Sequence, residues 1–182
     1  MTWHVYETLV DSIGEGQHVH LAYDGKDLEI MTTGYRHEDY KALFNRLMNE
    51  VTVELDISCM DAGQTTWKRP HVERGIEADL CYFFDPRKMA LVAASLALKS
   101  NNVDDYPDPD LAIEIDISRS QVDRPGIYAA LKVPAVWRFD GETQVIEQLR
   151  PDGSYAETKT SRYVPIRPDE IVGRVLELLR AI

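Results

Sequence analysis

Features of secreted, membrane-spanning and thiol-based proteins are scarce in this sequence. Only two cysteines occur in 182 residues. Cys59 and Cys81 form no CxxC pair, so we interpret both as small buried hydrophobic residues rather than as a disulfide or a zinc site. No run approaches the roughly 20 apolar residues of a membrane span. The N-terminus carries Glu7 and Asp11 and lacks an apolar signal segment, so we expect a cytoplasmic protein without a membrane segment.

Several common catalytic and architectural patterns are also missing. The sequence contains no Ser/His/Asp set, no glycine-rich phosphate loop and no Cys/His metal spacing. It has no internal repeat, no low-complexity segment and no evident linker. Hydrophobic residues make up 44% and charged residues 28% of the chain, which are ordinary values for a globular protein. We therefore expect a single domain over residues 1–182.

Positive charge is in short supply. The chain has 20 Lys and Arg against 31 Asp and Glu, a net charge of −11. This balance argues against indiscriminate nucleic-acid binding, which needs a basic face. Basic residues are nevertheless clustered beside the acidic segments described next, where they form either a solvated loop or a contact for an anion. They are Lys68, Arg69, His71, Arg74, Arg119 and Arg124.

Two short acidic segments are the most informative feature that is present. Glu77 and Asp79 precede an apolar run, and Glu114 and Asp116 lie inside the alternating run 109–118. Because side chains alternate faces along a strand, each pair should share one face. If the two strands are neighbours, four carboxylates converge, and a bound Mg²⁺ or Mn²⁺ would relieve their repulsion. This layout is typical of a metal-dependent phosphodiesterase.

A simpler explanation competes for the second segment. The alternation of Leu111, Ile113 and Ile115 with polar residues also suits any half-exposed strand. Helical patterns precede and follow this strand, however, and strands flanked by helices usually have both faces covered. Acidic residues on a covered face need a function, which favours the site.

Hydrophobic periodicity predicts a chain of mixed helices and strands. The predicted helices cover residues 3–13, the stretch after Gly34 to about 51, 86–97, 123–131 and a C-terminal segment ending near 182. The predicted strands cover 18–23, 27–31, 57–60, 64–68, 77–84, 110–118 and 135–139, with a last hairpin around 151–153.

Five stretches of the chain form a recognisable series. They are TWKRP (66–70), RGIEADLCYF (74–83), PDLAIE (109–114), DRPGIYAAL (123–131) and VPAVWRFD (133–140). In this order and spacing they resemble the Uma2 family of bacterial restriction-endonuclease-like proteins, in the PD-(D/E)XK nuclease superfamily. The resemblance runs from about residue 23 to residue 140. It implies an α/β (α+β) fold, a restriction-endonuclease-like mixed central β-sheet flanked by helices.

The resemblance also implies a metal site. Asp79 takes the place of the PD-motif aspartate, with Ala78 in place of the proline, and Glu114 takes the following acidic position. Glu77 is a further candidate metal ligand. The lysine expected two residues after Glu114 is Asp116 here, which departs from the superfamily pattern.

Two basic residues are candidates to replace the missing lysine. In this family a basic residue is often supplied by the next helix, four positions before a tyrosine, and Arg124 stands in that place ahead of Tyr128. Arginine stays protonated at ordinary pH, so Arg124 would contact the scissile phosphate rather than act as a base. Lys68, on the strand-like run before the first acidic segment, is the alternative.

The sequence also suggests roles for four other residues. We interpret His37 as an exposed or capping histidine rather than a contact for substrate or a carboxylate. Glu50 is either a helix acid of the site or an ordinary boundary residue. Tyr128 and Trp137 are assigned to the core.

Taken together, the residues and the resemblance predict a Mg²⁺- or Mn²⁺-dependent endonuclease that hydrolyses nucleic acid, with DNA as the expected substrate. The candidate catalytic residues are Asp79, Glu114, Arg124, Lys68 and Asp116. The resemblance also implies a homodimer, because nucleases of this superfamily commonly pair to cut two strands. A catalytically inactive nuclease-fold interaction module is the alternative, and the missing lysine and the acidic net charge favour it.

Overall fold

The strands of the protein form a small sheet and a large sheet. A computed structural model describes residues 1–14 and 19–180. The small sheet consists of β1 (Val19–Tyr23), β2 (Leu28–Thr32), β4 (Thr66–Arg69) and β5 (Arg74–Glu77), in the order β2-β1-β5-β4. The large sheet consists of β3 (Met60–Gly63), β6 (Leu80–Phe83), β7 (Leu111–Ile115), β8 (Ala135–Phe139), β9 (Gln144–Leu149) and β10 (Tyr155–Glu157), in the order β10-β9-β8-β7-β6-β3.

Five α-helices and one short 3-10 helix complete the described chain. The α-helices are α1 (Trp3–Ile13), α2 (Tyr35–Glu54), α3 (Pro86–Ala97), α4 (Arg124–Ala130) and α5 (Pro168–Arg180), and the 3-10 helix covers Val103–Asp105. Helix α3 begins where its sequence predicts, because the Asp85 side chain accepts a hydrogen bond from the Arg87 N–H and Pro86 takes the first helical position. In the described part of the chain, no helix combines the length and apolarity needed to cross a bilayer.

The large sheet is mixed, as the sequence predicted. Strands β7 and β8 run parallel, with Leu111 opposite Ala135 and Ile115 opposite Phe139, and α4 lies in the connection between them. The other pairings of the sheet are antiparallel. Strand β7 lies at the centre, and all five of its residues are buried.

Helices cover both faces of this sheet. On one face Leu111, Ile113 and Ile115 pack into a core with α2 and α5. On the other face Ala112 packs into a second core with α3 and α4. Glu114 has the same parity as Ala112, so it points toward α4. The half-exposed strand considered for this segment is therefore wrong, and Glu114 lies on a covered face.

The first acidic segment differs from its prediction. The sequence suggested one strand over 77–84, but the chain passes from β5 of the small sheet to β6 of the large sheet at Ala78 and Asp79. Glu77 is the last residue of β5, whereas Asp79 lies in the bend before β6, so the expected shared strand face is wrong. The strand predicted from residue 18 corresponds to β1, whose first described residue is Val19. Residue 18 and residue 182, which ended the predicted C-terminal helix, lie outside the described residues.

Candidate active site

Asp79 and Glu114 lie side by side in the middle of the molecule. Strands β6 and β7 are antiparallel with Leu80 opposite Ile113, and Asp79, the residue just before β6, lies near Glu114. The Asp79 Oδ2 atom accepts a hydrogen bond of 2.8 Å from the Ile115 N–H, which fixes this carboxylate to the central strand. Both side chains are buried, at 1% exposure each.

Helix α4 supplies two donors to Glu114. Arg124 Nη1 donates to Glu114 Oε2 at 2.9 Å, and the Tyr128 hydroxyl donates to Oε1. The two donors are four residues apart, so one helical turn places them on the same face of α4. Tyr128 is therefore core, as predicted, and also a polar partner of the acidic residue.

Arg124 is the centre of a wider charge network. Its Nη1 also lies 3.4 Å from Asp116 Oδ1, while its Nη2 and Nε donate to Glu29 Oε1 at 2.9 and 3.2 Å. The sequence analysis missed Glu29, which comes from β2 of the small sheet. We call Glu29, Asp79, Glu114 and Asp116 the acidic cluster, and it contains four carboxylates beside one guanidinium.

The acids of this cluster respond differently to burial. Burial raises the pKa of Glu114 and the pKa of Asp116. The charge of nearby Asp79 adds to both increases, whereas Arg124 opposes them. Burial also acts to raise the pKa of Glu29, but hydrogen bonds from the Gln121 N–H and from Arg124 prevail and lower it. Four carboxyl groups thus surround one guanidinium, and the raised pKa values mean that protons offset part of their negative charge, a role that a bound cation would take over.

The structure corrects the interpretation of His37. This residue is 3% exposed rather than on the surface. Its Nε2 lies 3.2 Å from Asp79 Oδ2 and its Nδ1 lies 3.4 Å from Glu38 Oε1. Burial lowers the pKa of His37, but the two carboxylates outweigh burial and leave this pKa raised. The sequence held a signal for this position, because His37 precedes Tyr40 and Phe44 on the buried stripe of α2.

A second histidine stands on the other side of Asp79. His20 of β1 is 4% exposed, and its Nδ1 lies 3.8 Å from Asp79 Oδ1. Its Nε2 lies 3.0 Å from the Gln64 side-chain nitrogen. Burial lowers the pKa of His20, although Glu77 and Asp79 act in the opposite sense. Three buried atoms around this carboxylate have no hydrogen-bond partner: His20 Nδ1, His37 Nε2 and Asp79 Oδ1.

Two predicted site residues lie elsewhere. Lys68 Nζ pairs with Asp11 Oδ1 on α1 at 2.9 Å, so it is not in contact with the acidic cluster. Glu77 accepts hydrogen bonds from Gln64 and Thr66 within the small sheet. The exposed Glu50 pairs with Arg46 along α2 at 2.8 Å, as an ordinary boundary residue would.

A cavity of about 350 Å³ opens beside Glu114 and Asp116. Arg119, Arg124 and Arg138 line it together with Ser118 and Ser120. Three acids, Glu114, Asp116 and Glu147, line the same cavity, so the arginines balance the acids there rather than exceed them. Of these arginines, Arg124 is held by the cluster and Arg138 pairs with Glu147 at 2.9 Å.

The ligand set available for a metal ion is small. Among residues 1–14 and 19–180, no three His, Cys, Asp or Glu side chains are grouped so that they could hold one ion. Mg²⁺ is commonly bound by only one or two carboxylates, with water and substrate phosphate completing its shell. Asp79 and Glu114 meet that requirement, because Asp79 Oδ1 is unpartnered and each Glu114 oxygen keeps a second lone pair.

Comparison with known proteins identifies the family and the fold. The sequence model of the Uma2 family, described as "Putative restriction endonuclease", matches residues 3–178. The chain belongs to the Uma2 family. The resemblance noted in the sequence is thereby confirmed for nearly the whole chain.

A solved structure resembles this Uma2 protein. It is the 1.96 Å crystal structure of a protein from Anabaena variabilis described as a "putative nuclease belonging to DUF820". The match covers 96% of this chain and 99% of that chain, with a TM-score of 0.59 and 14% sequence identity. At this identity the likeness establishes the fold, so the expected nuclease-like α/β architecture is confirmed. No curated protein matches the chain.

Proposed function

We propose that this Uma2 protein is a metal-dependent endonuclease that hydrolyses phosphodiester bonds in DNA. The observation that carries the proposal is the closeness of buried Asp79, just before β6, to buried Glu114 of β7, with Arg124 bound to Glu114. The adjoining cavity, lined by three arginines, supports a phosphodiester substrate. The nuclease family to which the chain belongs supports the same reaction class.

Asp79 and Glu114 would hold Mg²⁺ or Mn²⁺. The excess of carboxylates over cations in the acidic cluster and the unpartnered Asp79 Oδ1 fit a divalent cation. When bound, the cation would polarise a phosphate oxygen and make an attacking water more acidic. Glu77 is a weaker candidate, because its oxygens are already used by Gln64 and Thr66.

Arg124 has two tasks in this proposal. It holds Glu114 by a charge-assisted hydrogen bond, which fixes the direction of that carboxylate. It also brings permanent positive charge to the cavity wall, where a phosphate would lie. Asp116 completes the surroundings of Arg124. Lys68 is not retained, because its ammonium group binds Asp11.

A specific observation favours the alternative function. Every nitrogen of the Arg124 guanidinium is engaged by a carboxylate of the protein itself. With Asp116 in the place of the superfamily lysine, the site offers no lysine to the substrate. A nuclease fold that binds a partner without cleaving it would tolerate both features.

A cleavage assay separates the two functions. Single- and double-stranded DNA and RNA would be incubated with Mg²⁺, with Mn²⁺ and with a chelator. We expect metal-dependent cleavage of DNA by the unmodified protein and its loss in Asp79→Asn, while Asp169→Asn, which alters an exposed surface pair, keeps it. Absence of cleavage under every metal would overturn the enzyme and support the interaction module.

The homodimer remains part of this proposal. Cutting both strands of a duplex requires two sites, which a two-fold pair of nuclease domains would supply. Sedimentation analysis of the purified protein, with and without duplex DNA, would test it. A monomer in both conditions would contradict it.

A further inference from the structure

We propose that His37 and His20 are positioning residues, which hold the Asp79 carboxylate in the orientation that binds the cation. The inference rests on the proposed metal site and adds two residues to it. Both rings are buried, and they approach Asp79 from different elements, His37 from α2 and His20 from β1. The ring centroids are 6.0 Å apart, in an edge-to-face arrangement, with the carboxylate between them.

His37 fixes one oxygen of Asp79 through a chain of charged contacts. Asp79 Oδ2 already accepts the Ile115 N–H at 2.8 Å, and His37 Nε2 stands 3.2 Å from the same oxygen. The opposite ring nitrogen faces Glu38, and Glu38 pairs with Lys41 at 2.8 Å. The ring thus lies between two carboxylates, in hydrogen-bond contact with Glu38 and at ion-pair distance from Asp79, where its Nε2 makes no hydrogen bond. Because Oδ2 accepts the Ile115 N–H and faces His37, Oδ1 is the oxygen left for a cation.

His20 is aimed at that remaining oxygen. Lys41 donates to Gln64 Oε1 at 2.7 Å, which orients the Gln64 amide so that its nitrogen donates to His20 Nε2. The hydrogen of the neutral ring must then be on Nδ1, the atom facing Asp79 Oδ1. The gap of 3.8 Å is too long for a hydrogen bond, and both atoms are buried without a partner.

Unpartnered polar atoms in a protein interior are uncommon and call for an explanation. Here three of them lie together at one carboxylate, and one of the three is Asp79 Oδ1, the oxygen proposed to bind the cation. Two histidines that merely filled the core would have no reason to converge on it. Residues that orient a metal-binding carboxylate typically change metal affinity by about 10- to 100-fold when they are removed.

The test measures Mn²⁺ affinity by titration calorimetry, without any nuclease readout. We expect His37→Leu and His20→Leu to weaken Mn²⁺ binding by about 10- to 100-fold. His37→Gln, which keeps a donor for Asp79, should recover most of the loss. The control is His71→Gln, which alters an exposed histidine and should leave the affinity unchanged. Circular dichroism melts would verify that each variant is folded.

The outcomes separate this inference from the proposed function. If Asp79→Asn abolishes Mn²⁺ binding while both leucine variants bind like the unmodified protein, the inference is overturned and the metal site stands. If the unmodified protein binds no Mn²⁺, both are overturned. Should His37→Leu fail to fold, Glu38→Gln decides, because it removes the negative charge behind the ring. Weaker binding in Glu38→Gln supports the inference, and unchanged binding overturns it.

Discussion

Tyr128 shows how one side chain serves the core and the site together. Its ring is buried against the second core, as an aromatic residue on the inner face of a helix should be. Its hydroxyl donates to Glu114, a carboxylate without contact to bulk water. Burial and the Glu114 charge raise the pKa of Tyr128, so the hydroxyl keeps its proton and remains a donor.

Removal of this hydroxyl should destabilise the protein. Tyr128→Phe leaves one oxygen of the buried Glu114 without its donor, so we expect a loss of about 1–3 kcal/mol in the free energy of unfolding. Urea unfolding would measure it. Tyr35→Phe, at an exposed tyrosine, is the control and should change nothing. Equal stability of Tyr128→Phe and the unmodified protein would mean that Glu114 does not depend on this contact.

The Glu38 carboxylate should make the stability of the protein depend on pH. Burial acts to raise its pKa, but the Lys41 ammonium, 2.8 Å from Glu38 Oε2, prevails and lowers the pKa to about 2. Because the folded pKa is below the ordinary value of 4.5, the ionised pair stabilises the protein above about pH 4.5. This contribution is lost as the pH falls toward 2. Glu38 is partly exposed, so solvent screening limits the effect to about 1 kcal/mol or less.

Urea unfolding between pH 2 and pH 6 would test this assignment. Glu38→Gln should be less stable than the unmodified protein near pH 6, and the difference should shrink toward pH 2. A constant difference across this range would contradict it. The exposed Glu142→Gln variant is the control.

At the scale of elements, helices were predicted better than the junction between the sheets. Helix α1 and strand β8 have the bounds that their hydrophobic pattern predicted. The helix packs one continuous stripe, and the strand is covered on both faces, so each pattern runs unbroken from end to end. The change from β5 to β6 at Asp79 was not predicted. An apolar run that continues through a bend looks like one strand, and only the long-range pairing of each half with a different sheet separates them.

The difference between local and long-range contacts also explains which residues of the candidate site were predicted from the sequence. Asp79, Glu114 and Arg124 were predicted from local motifs and family spacing. Glu29 was missed because its partner Arg124 is 95 residues away in sequence, and a lone glutamate on a hairpin has many ordinary explanations. His20 was missed for the same reason. The burial of His37 could have been predicted, because its spacing to Tyr40 matches the buried stripe of α2.

Glu29 joins the small sheet to helix α4 and the loop before it. Its carboxylate accepts the Gln121 N–H at 2.7 Å and binds Arg124 of α4. Glu29→Gln keeps the size but removes the charge, so we expect a loss of about 1.5–3 kcal/mol in the free energy of unfolding. The Gln121 amide should also exchange faster with solvent. Hydrogen exchange followed by NMR would measure both, and unchanged protection at Gln121 would contradict this linkage. Glu142→Gln is again the control.

At the scale of the whole molecule, the acidic composition conceals a concentrated arrangement of charge. The net charge of −11 includes the four carboxyl groups of the acidic cluster, three of which are paired with Arg124. Arginines line the neighbouring cavity. A cation bound at Asp79 and Glu114 would remove part of the repulsion inside the cluster and stabilise the native state by mass action.

The most direct test of this account is the thermal melt of the protein with and without Mn²⁺. At a hundred times Kd we expect about 2.7 kcal/mol of stabilisation, a rise of several degrees in Tm. Asp79→Asn, whose amide oxygen can still accept the Ile115 N–H, should melt at the same temperature with and without the ion. Asp169→Asn should respond like the unmodified protein. A Tm that does not change with Mn²⁺ in the unmodified protein, or that rises equally in Asp79→Asn, would contradict the metal site.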